Sequence, residues 1–173
     1  CSSLNRNSGT IVRENTKMEK MLISGVAADK NVAKIRVAGL GNDPDSTFRL
    51  LNVLDKNNLN IDVMIQSLGK DGTKSVSFTV AKPDLLRALD LLNDNKDYLG
   101  IKKLDSDEKV AKVSVIGAGI RSHSGVAAKM FGALASIGVN TEMVTTSEIR
   151  ITVLIDEEYT DLAMRKLHET FIN

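Results

Sequence analysis

The chain has one cysteine, Cys1, so no disulfide can form within it, and that points to a reducing compartment. It has no tryptophan, and aromatics make up 3% of its 173 residues. That removes the stacking platforms on which single-stranded nucleic acid is bound. Charge of one sign is missing too: 23 basic against 22 acidic residues leave a net charge of +1, with no surplus to attract a phosphate backbone. No uncharged apolar run approaches the roughly 18 residues that span a bilayer. A soluble, cytoplasmic protein with neither nucleic acid nor membrane as partner is expected. His123 and His168 have no cysteine or paired acid at ligand spacing, which argues against a metal. Gly117 and Gly119 follow a strand pattern, but His123 stands where a dinucleotide fingerprint needs its third glycine. No Walker-type loop is present, and no nucleophile is set beside a base and an orienting group. No catalytic residue is expected in this chain.

What the chain does hold is the same pattern twice. In the later copy Val113, Val115 and Ile116 read as a strand ending at Gly117. Val126, Met130, Phe131, Leu134 and Ile137 recur at helical spacing, and Gly138 supplies the left-handed cap that ends the helix. Met143 and Val144 open a strand, and Ile149, Ile151 and Val153 alternate through the next. Ala33-Lys34-Ile35-Arg36-Val37-Ala38-Gly39 matches Ala111-Lys112-Val113-Ser114-Val115-Ile116-Gly117 at an offset of about 78. The offset becomes about 80 through the helix and next strand, pairing Leu54 with Leu134, Asn60 with Asn140 and Gln66 with Thr146. It falls to about 75 beyond, pairing Val76 with Ile151 and Leu92 with Leu167. The changes of offset lie only in loops, as a duplicated fold requires, since loops absorb insertions and packed elements do not.

Taken in order, the first repeat reads as a strand over 33–40, a loop, a helix over 46–57 and a strand over 61–67. Gly69-Lys70-Asp71-Gly72 is a hairpin signal, followed by a strand over 74–81. Pro83 suits the start of a helix, with Leu85, Leu86, Leu89 and Leu92 as its buried face. A weak fourth strand follows at 101–104, and Asp105-Ser106-Asp107-Glu108 reads as a link. The last helix spans 159–171, with Leu162, Met164 and Leu167 inward. Each repeat is thus βαββα, with a trailing strand in the first only. The expected class is α+β: two ferredoxin-like domains (32–105 and 110–173), each an antiparallel sheet with helices on one face. The second repeat ends before any fourth strand, leaving an open edge. The apolar segment 22–26 has no place in the first repeat and is expected to fill that edge, with 27–31 as a turn; 1–20 is lead-in and linker.

Asn42-Asp43-Pro44-Asp45 and Ser122-His123-Ser124-Gly125 both lie between a first strand and a first helix. A helix start offers free amides and a partial positive charge to a carboxylate. The strand openings Asn60-Ile61-Asp62 and Asn140-Thr141-Glu142 carry carboxylates and backbone groups able to hold an ammonium. Singly each residue is ordinary turn chemistry; together they suit a zwitterion of amino-acid size.

Ser122-His123-Ser124-Gly125-Val126-Ala127-Ala128, with Gly138-Val139-Asn140 and Thr145-Thr146-Ser147-Glu148-Ile149-Arg150-Ile151, resembles the paired ACT regulatory domains of aspartokinases. The segment 22–29 and Asn60-Ile61-Asp62 with Gln66 resemble the first ACT repeat and its lead-in, and Ser2-Ser3-Leu4-Asn5 with Gly9-Thr10-Ile11 resembles the end of the kinase domain. The resemblance covers nearly the whole chain. It implies a fragment that begins, at Cys1 rather than Met, inside a longer polypeptide; the other source of an N-terminal cysteine, a lipid-anchored secreted protein, is the less favoured reading. The kinase domain, with its ATP and magnesium and its phosphorylation of L-aspartate to 4-phospho-L-aspartate, would lie outside this stretch, which would itself be inactive. The resemblance also implies a homodimer that binds lysine, threonine or both between an ACT domain of one chain and one of its partner, as feedback in the synthesis of lysine, threonine and methionine. The effector positions it carries over are Asn42, Asp45, Thr47, Asn60, Ile61 and Gln66 in the first repeat. In the second they are His123, Gly125, Ala127, Asn140, Thr141 and Ser147. The family usually has Asp where Asn42 stands, Gly where Asp45 stands and Pro where Ser124 stands, so the second-repeat loop keeps the pattern better. A free-standing tandem ACT sensor with no kinase domain is the alternative. An acylphosphatase-like enzyme on the same fold is the third and least favoured reading.

Overall fold

The computed structural model describes residues 23–118, Ile120 and 123–172. The readings on residues 1–22, Gly119, Arg121, Ser122 and Asn173 lie outside the described residues. In the first repeat, strand β2 (Val32–Leu40) leads to helix α1 (Asp45–Lys56), strands β3 (Met64–Leu68) and β4 (Lys74–Ala81), helix α2 (Leu85–Asp94) and strand β5 (Lys103–Asp107). In the second, β6 (Val110–Gly117) leads to α3 (Gly125–Ser136), β7 (Met143–Thr146), β8 (Arg150–Asp156) and α4 (Thr160–Phe171). Strand β1 (Ile23–Asp29) precedes both. The sheets are ordered β3-β4-β2-β5 and β7-β8-β6-β1, and every pairing is antiparallel.

Laid side by side, the two orders put β1 where the first sheet has β5. The segment that comes before the first repeat therefore completes the second. Its register runs from Ile23 opposite Gly117 to Asp29 opposite Lys112. The strand is longer than its apolar stretch: Ala27, Ala28 and Asp29 belong to it, and the turn is confined to Lys30 and Asn31. Asp105–Asp107, read as a link, is likewise paired strand, opposite Arg36–Lys34. Polar residues suffice there because β5 is an edge with one wet face.

Alternation along β2 and β6 turns Ile35, Val37, Val113 and Val115 inward and Lys34, Arg36, Lys112 and Ser114 outward. The first core gathers Ile35, Leu50, Leu54, Phe78 and Leu92. The second gathers Val113, Met130, Leu134, Leu167 and Phe171. A smaller cluster of Val32, Val63, Val110, Met143 and Leu154 takes residues from both repeats and forms the joint between them.

Two helix faces differ from the periodic reading. Helix α2 starts after a 3-10 turn at Lys82–Asp84, so its inward stripe is Leu85, Ala88 and Leu92. Leu86 falls on the solvent side and is 74% exposed. In α4 the stripe Thr160, Ala163, Leu167 and Phe171 is inward and Leu162 is exposed. In both, a small residue rather than the nearby leucine meets the sheet. At the end of α3 Gly138 is left-handed, with φ 73°, and the equivalent Asn58 after α1 takes φ 54°. Asn is among the few residues that enter this region locally. The hairpin at Gly69–Gly72 forms as expected, with the Thr73 amide donating to Asp71 Oδ1 at 3.0 Å. That amide, and then the Thr73 hydroxyl, hold the Asp71 carboxyl below the usual range.

Candidate functional site

Between β6 and α3 the chain makes a loop against the β7–β8 turn. Ser124, in the capping position of α3, makes no side-chain cap, and the first turn holds no acid. The first amides of a helix have no intrahelical acceptor. That of Val126 is taken by the His123 carbonyl at 3.2 Å, while those of Gly125 and Ala127 keep the open end and its partial positive charge. In front of this end is a cleft of about 590 Å³. Ile120, Ala127 and Ile151 give it an apolar side; His123, Ser124, Thr146, Ser147 and Glu148 give it a polar one. Ser147 is set by the turn, its amide donating to the Arg150 carbonyl at 2.8 Å. The arrangement sets amides, hydroxyls and the Glu148 carboxylate beside a small apolar wall.

The same place in the first repeat is closed by its own side chains. Thr47 stands where Ala127 does, and its hydroxyl donates to Gln66 Oε1 at 2.6 Å. Ser46 is buried and donates to the Asp43 carbonyl at 3.0 Å. Lys74 Nζ donates to that carbonyl at 2.8 Å and to Ser46 Oγ at 3.3 Å. Asp45 puts its carboxylate in the first turn of α1, where Gly125 sits in the other repeat. Asn42 is exposed in the loop ahead of it.

The strand openings lie at the other end of the edge strands. Asn60 is exposed and Ile61 half-buried, and both line a hollow of about 280 Å³ with Asp29, Asp62 and Asp84. Asn140 is exposed and Thr141 half-buried ahead of β7. From Asp62 to Gln66 is about 13 Å at the strand rise. Within one chain, therefore, His123, Ala127 and Ser147 come together, as do Asn60 with Ile61 and Thr47 with Gln66. The loop set and the strand-opening set of one repeat do not meet. The opening carboxylates are also not waiting for a ligand: Asp62 is ion-paired with Lys112, and Glu142 with Lys34. Sequence reasoning missed both lysines. Their equivalence across the repeat was the one available signal, since a pair joining two repeats has no local pattern.

Strands β3 and β7 are outer strands, and Met64, Leu68 and Val144 on them are exposed. A second cleft, of about 550 Å³, lies between the repeats, walled by Asp62 and Met64 on one side and Lys112, Ser114, Arg150 and Thr152 on the other. Ser114 and Thr152 share a buried hydroxyl hydrogen bond of 2.8 Å on its floor. Among the described residues no group of three His, Cys, Asp or Glu is placed to hold a metal, and no helix is long and apolar enough to cross a membrane.

Residues 113–171 match the family model of the ACT domain. The aspartokinase of Pseudomonas aeruginosa is 39% identical over 162 residues, covering 94% of this chain and 39% of that protein. The aspartokinase of Helicobacter pylori strain 26695 is 36% identical over 176 residues, covering 98% of this chain and 43% of that protein. The chain thus spans about two fifths of the length of these curated relatives. Among solved structures, one of aspartokinase alpha and beta subunits is 43% identical with a TM-score of 0.81, covering 86% of this chain and 98% of that one. The ligand-free regulatory subunit of aspartate kinase from Thermus thermophilus is 35% identical with a TM-score of 0.82, covering 87% and 99%.

Proposed function

The chain belongs to the aspartokinase family, as its ACT-domain regulatory part, and from that premise we propose that it binds a free amino acid, lysine or threonine or both, as a feedback signal. The uncapped start of α3 in front of its cleft is the observation that carries this reading. A carboxylate there meets the Gly125 and Ala127 amides, beside the Ser147 hydroxyl, which donates to the Arg150 carbonyl at 3.3 Å; a small side chain rests on Ala127 and Ile151. His123 closes the polar side. The activity regulated is the phosphorylation of L-aspartate by ATP, the first step toward lysine, threonine and methionine. Its ATP, magnesium and catalytic groups belong to the kinase domain. A free-standing sensor is not favoured, because the relatives of matching length are themselves subunits of aspartate kinase.

The ammonium of the effector needs a strand opening, and the loop and the opening of one repeat stand too far apart to share an amino acid. A homodimer removes the difficulty. If β7 of one chain pairs antiparallel with β3 of its partner, the reversed direction brings the partner's Asn60 and Ile61 beside the Ser147 end. Both strands are edges with unpaired backbone groups and exposed apolar side chains.

L-lysine and L-threonine titrated separately by calorimetry and thermal melting test the reading. At about a hundred times its Kd an effector stabilises the folded state by about 2.7 kcal/mol, which raises the melting temperature by about 5 to 10 °C for a chain of this length. If neither amino acid moves it at millimolar concentration, the regulatory reading of these loops is wrong. Asp45→Gly is a second check. It removes a carboxylate from the first turn of α1, and affinity at the first-repeat loop is expected to rise about fivefold or more. An unchanged number of bound effectors per chain at saturating millimolar ligand would show that this loop is not a site.

A further inference from the structure

We infer that Lys112 and Lys34 are positioning residues, each holding the strand-opening carboxylate of the opposite repeat, so that the two openings are wired to one another. The inference rests on the reading of Asn60–Asp62 as an ammonium-accepting half-site.

The pairs are reciprocal. Lys34 and Lys112 occupy the same position of their repeats, and so do Asp62 and Glu142. Lys34 of the first repeat is paired with Glu142 of the second, and Lys112 of the second with Asp62 of the first. Lys112 Nζ also lies 3.4 Å from Asp29 on the strand that completes the second sheet. A third pair, Lys82 with Glu157 at 3.0 Å, joins a repeat position to its own equivalent. Such self-matching contacts mark an approximate two-fold relation between the repeats, as in an isologous dimer.

In these pairs the lysine is the shielded member, while the Asp62 and Glu142 side chains are 64% and 35% exposed. The side chains of Lys112 and Lys34 are 17% and 23% exposed, against 66% for Lys103, whose partner is Asp105. A shielded ammonium is screened less by salt than an exposed one. Both lysines lie on outward strand faces beside the apolar joint, two positions on from Val32 and Val110. Asp62 directly precedes Val63, and Glu142 directly precedes Met143; both followers belong to that joint. Each opening carboxylate is thus held, through its lysine, to the strand face beside the contact between the repeats. An effector ammonium that takes Asp62 must share or displace Lys112, a residue of the other repeat. Binding at one opening therefore reaches the second repeat through a single side chain, and the mirror route runs from Glu142 to Lys34.

The test uses the whole 173-residue chain with Lys112→Met, which keeps the stem and removes the charge, Lys112→Arg as rescue, and Lys34→Met. Amide hydrogen exchange needs no ligand. Lys112→Met is expected to speed exchange about tenfold at 62–64 of the first repeat, and Lys34→Met at 142–144 of the second, with Lys112→Arg close to wild type. Calorimetry with L-lysine and L-threonine is expected to show an altered Kd in each Met variant, by about fivefold or more, largely restored in Lys112→Arg. A purely structural lysine would lower the melting temperature without this crossed pattern. Exchange changes confined to the mutated lysine's own repeat, or an unaltered Kd in Lys112→Met, overturn the inference. If Lys112→Met does not fold, Asp62→Asn breaks the same pair and is read by exchange at 110–114, where no change overturns it. Should the wild type bind neither amino acid, the proposed function fails, and the exchange result alone decides the wiring.

Discussion

Ala127→Asp is expected to abolish effector binding at the second-repeat loop and to leave the fold intact. Ala127 is half-buried in the first turn of α3 and lines the cleft. A carboxylate there occupies the space meant for the ligand's own and uses up the partial positive charge of the helix start. The like-charge and desolvation cost to a bound carboxylate is about 2 to 4 kcal/mol, a loss of about 30- to 1000-fold in affinity. Folding does not suffer, because an acid in a first turn complements the helix dipole. The first repeat already shows the arrangement: Asp45 sits in the first turn of α1, which is well formed. Calorimetry and circular dichroism on the same samples check the two halves of the expectation. Binding within threefold of wild type would move the effector away from this helix end. Ala127→Ser, which adds a small donor without charge, is the control and should bind within about threefold.

Much of the fold was legible because the chain states it twice. The repeat offsets, the glycine at Gly138, the hairpin at Gly69–Gly72 and the apolar strand through Val113, Val115 and Ile116 all agree, and agreement between levels marks a well-specified fold. The errors have a common physical source. Leu86 and Leu162 are large and apolar, and periodicity counts them, but a neighbouring Ala or Thr fits closer to the sheet and takes the inward position. Strand β5 was cut short for a similar reason, since Asp105-Ser106-Asp107 pairs by backbone, which carries no side-chain signature. At the site, the open and closed loops could be anticipated from Gly125 against Asp45 and from Ala127 against Thr47. The Thr47–Gln66 bond, the Lys74 contacts and the crossed lysine pairs could not, because each joins residues that only the folded chain brings together.

The second large effect concerns how the two repeats depend on one another. Phe171→Ala is expected to destabilise the second repeat by about 3 to 5 kcal/mol, the usual cost of emptying a large aromatic site in a core. Phe171 is fully buried at the end of α4, among Ile23, Val113, Met130 and Leu167. Its ring also receives Lys129 Nζ at 5.3 Å from the centroid, a contact that adds a little more. Such a loss lowers the melting temperature by about 6 to 20 °C in a chain of this length. The informative part is where protection disappears. Phe171 belongs to a core separate from that around Phe78, and the repeats touch through a small joint and a few ion pairs. Amide exchange is therefore expected to rise through β6 and β8 while β2 and β4 keep most of their protection. Strand β1 decides the matter. By sequence it is tied to β2 through only Lys30 and Asn31, yet it pairs with β6 and packs against α4. It should lose protection with the second repeat, not with its neighbour in the chain. If β1 stays protected in Phe171→Ala while β6 opens, the segment is held by something other than the edge of the second sheet. If all strands lose protection equally, the two repeats are one cooperative unit, and the joint and crossed lysines are stronger than their small area implies.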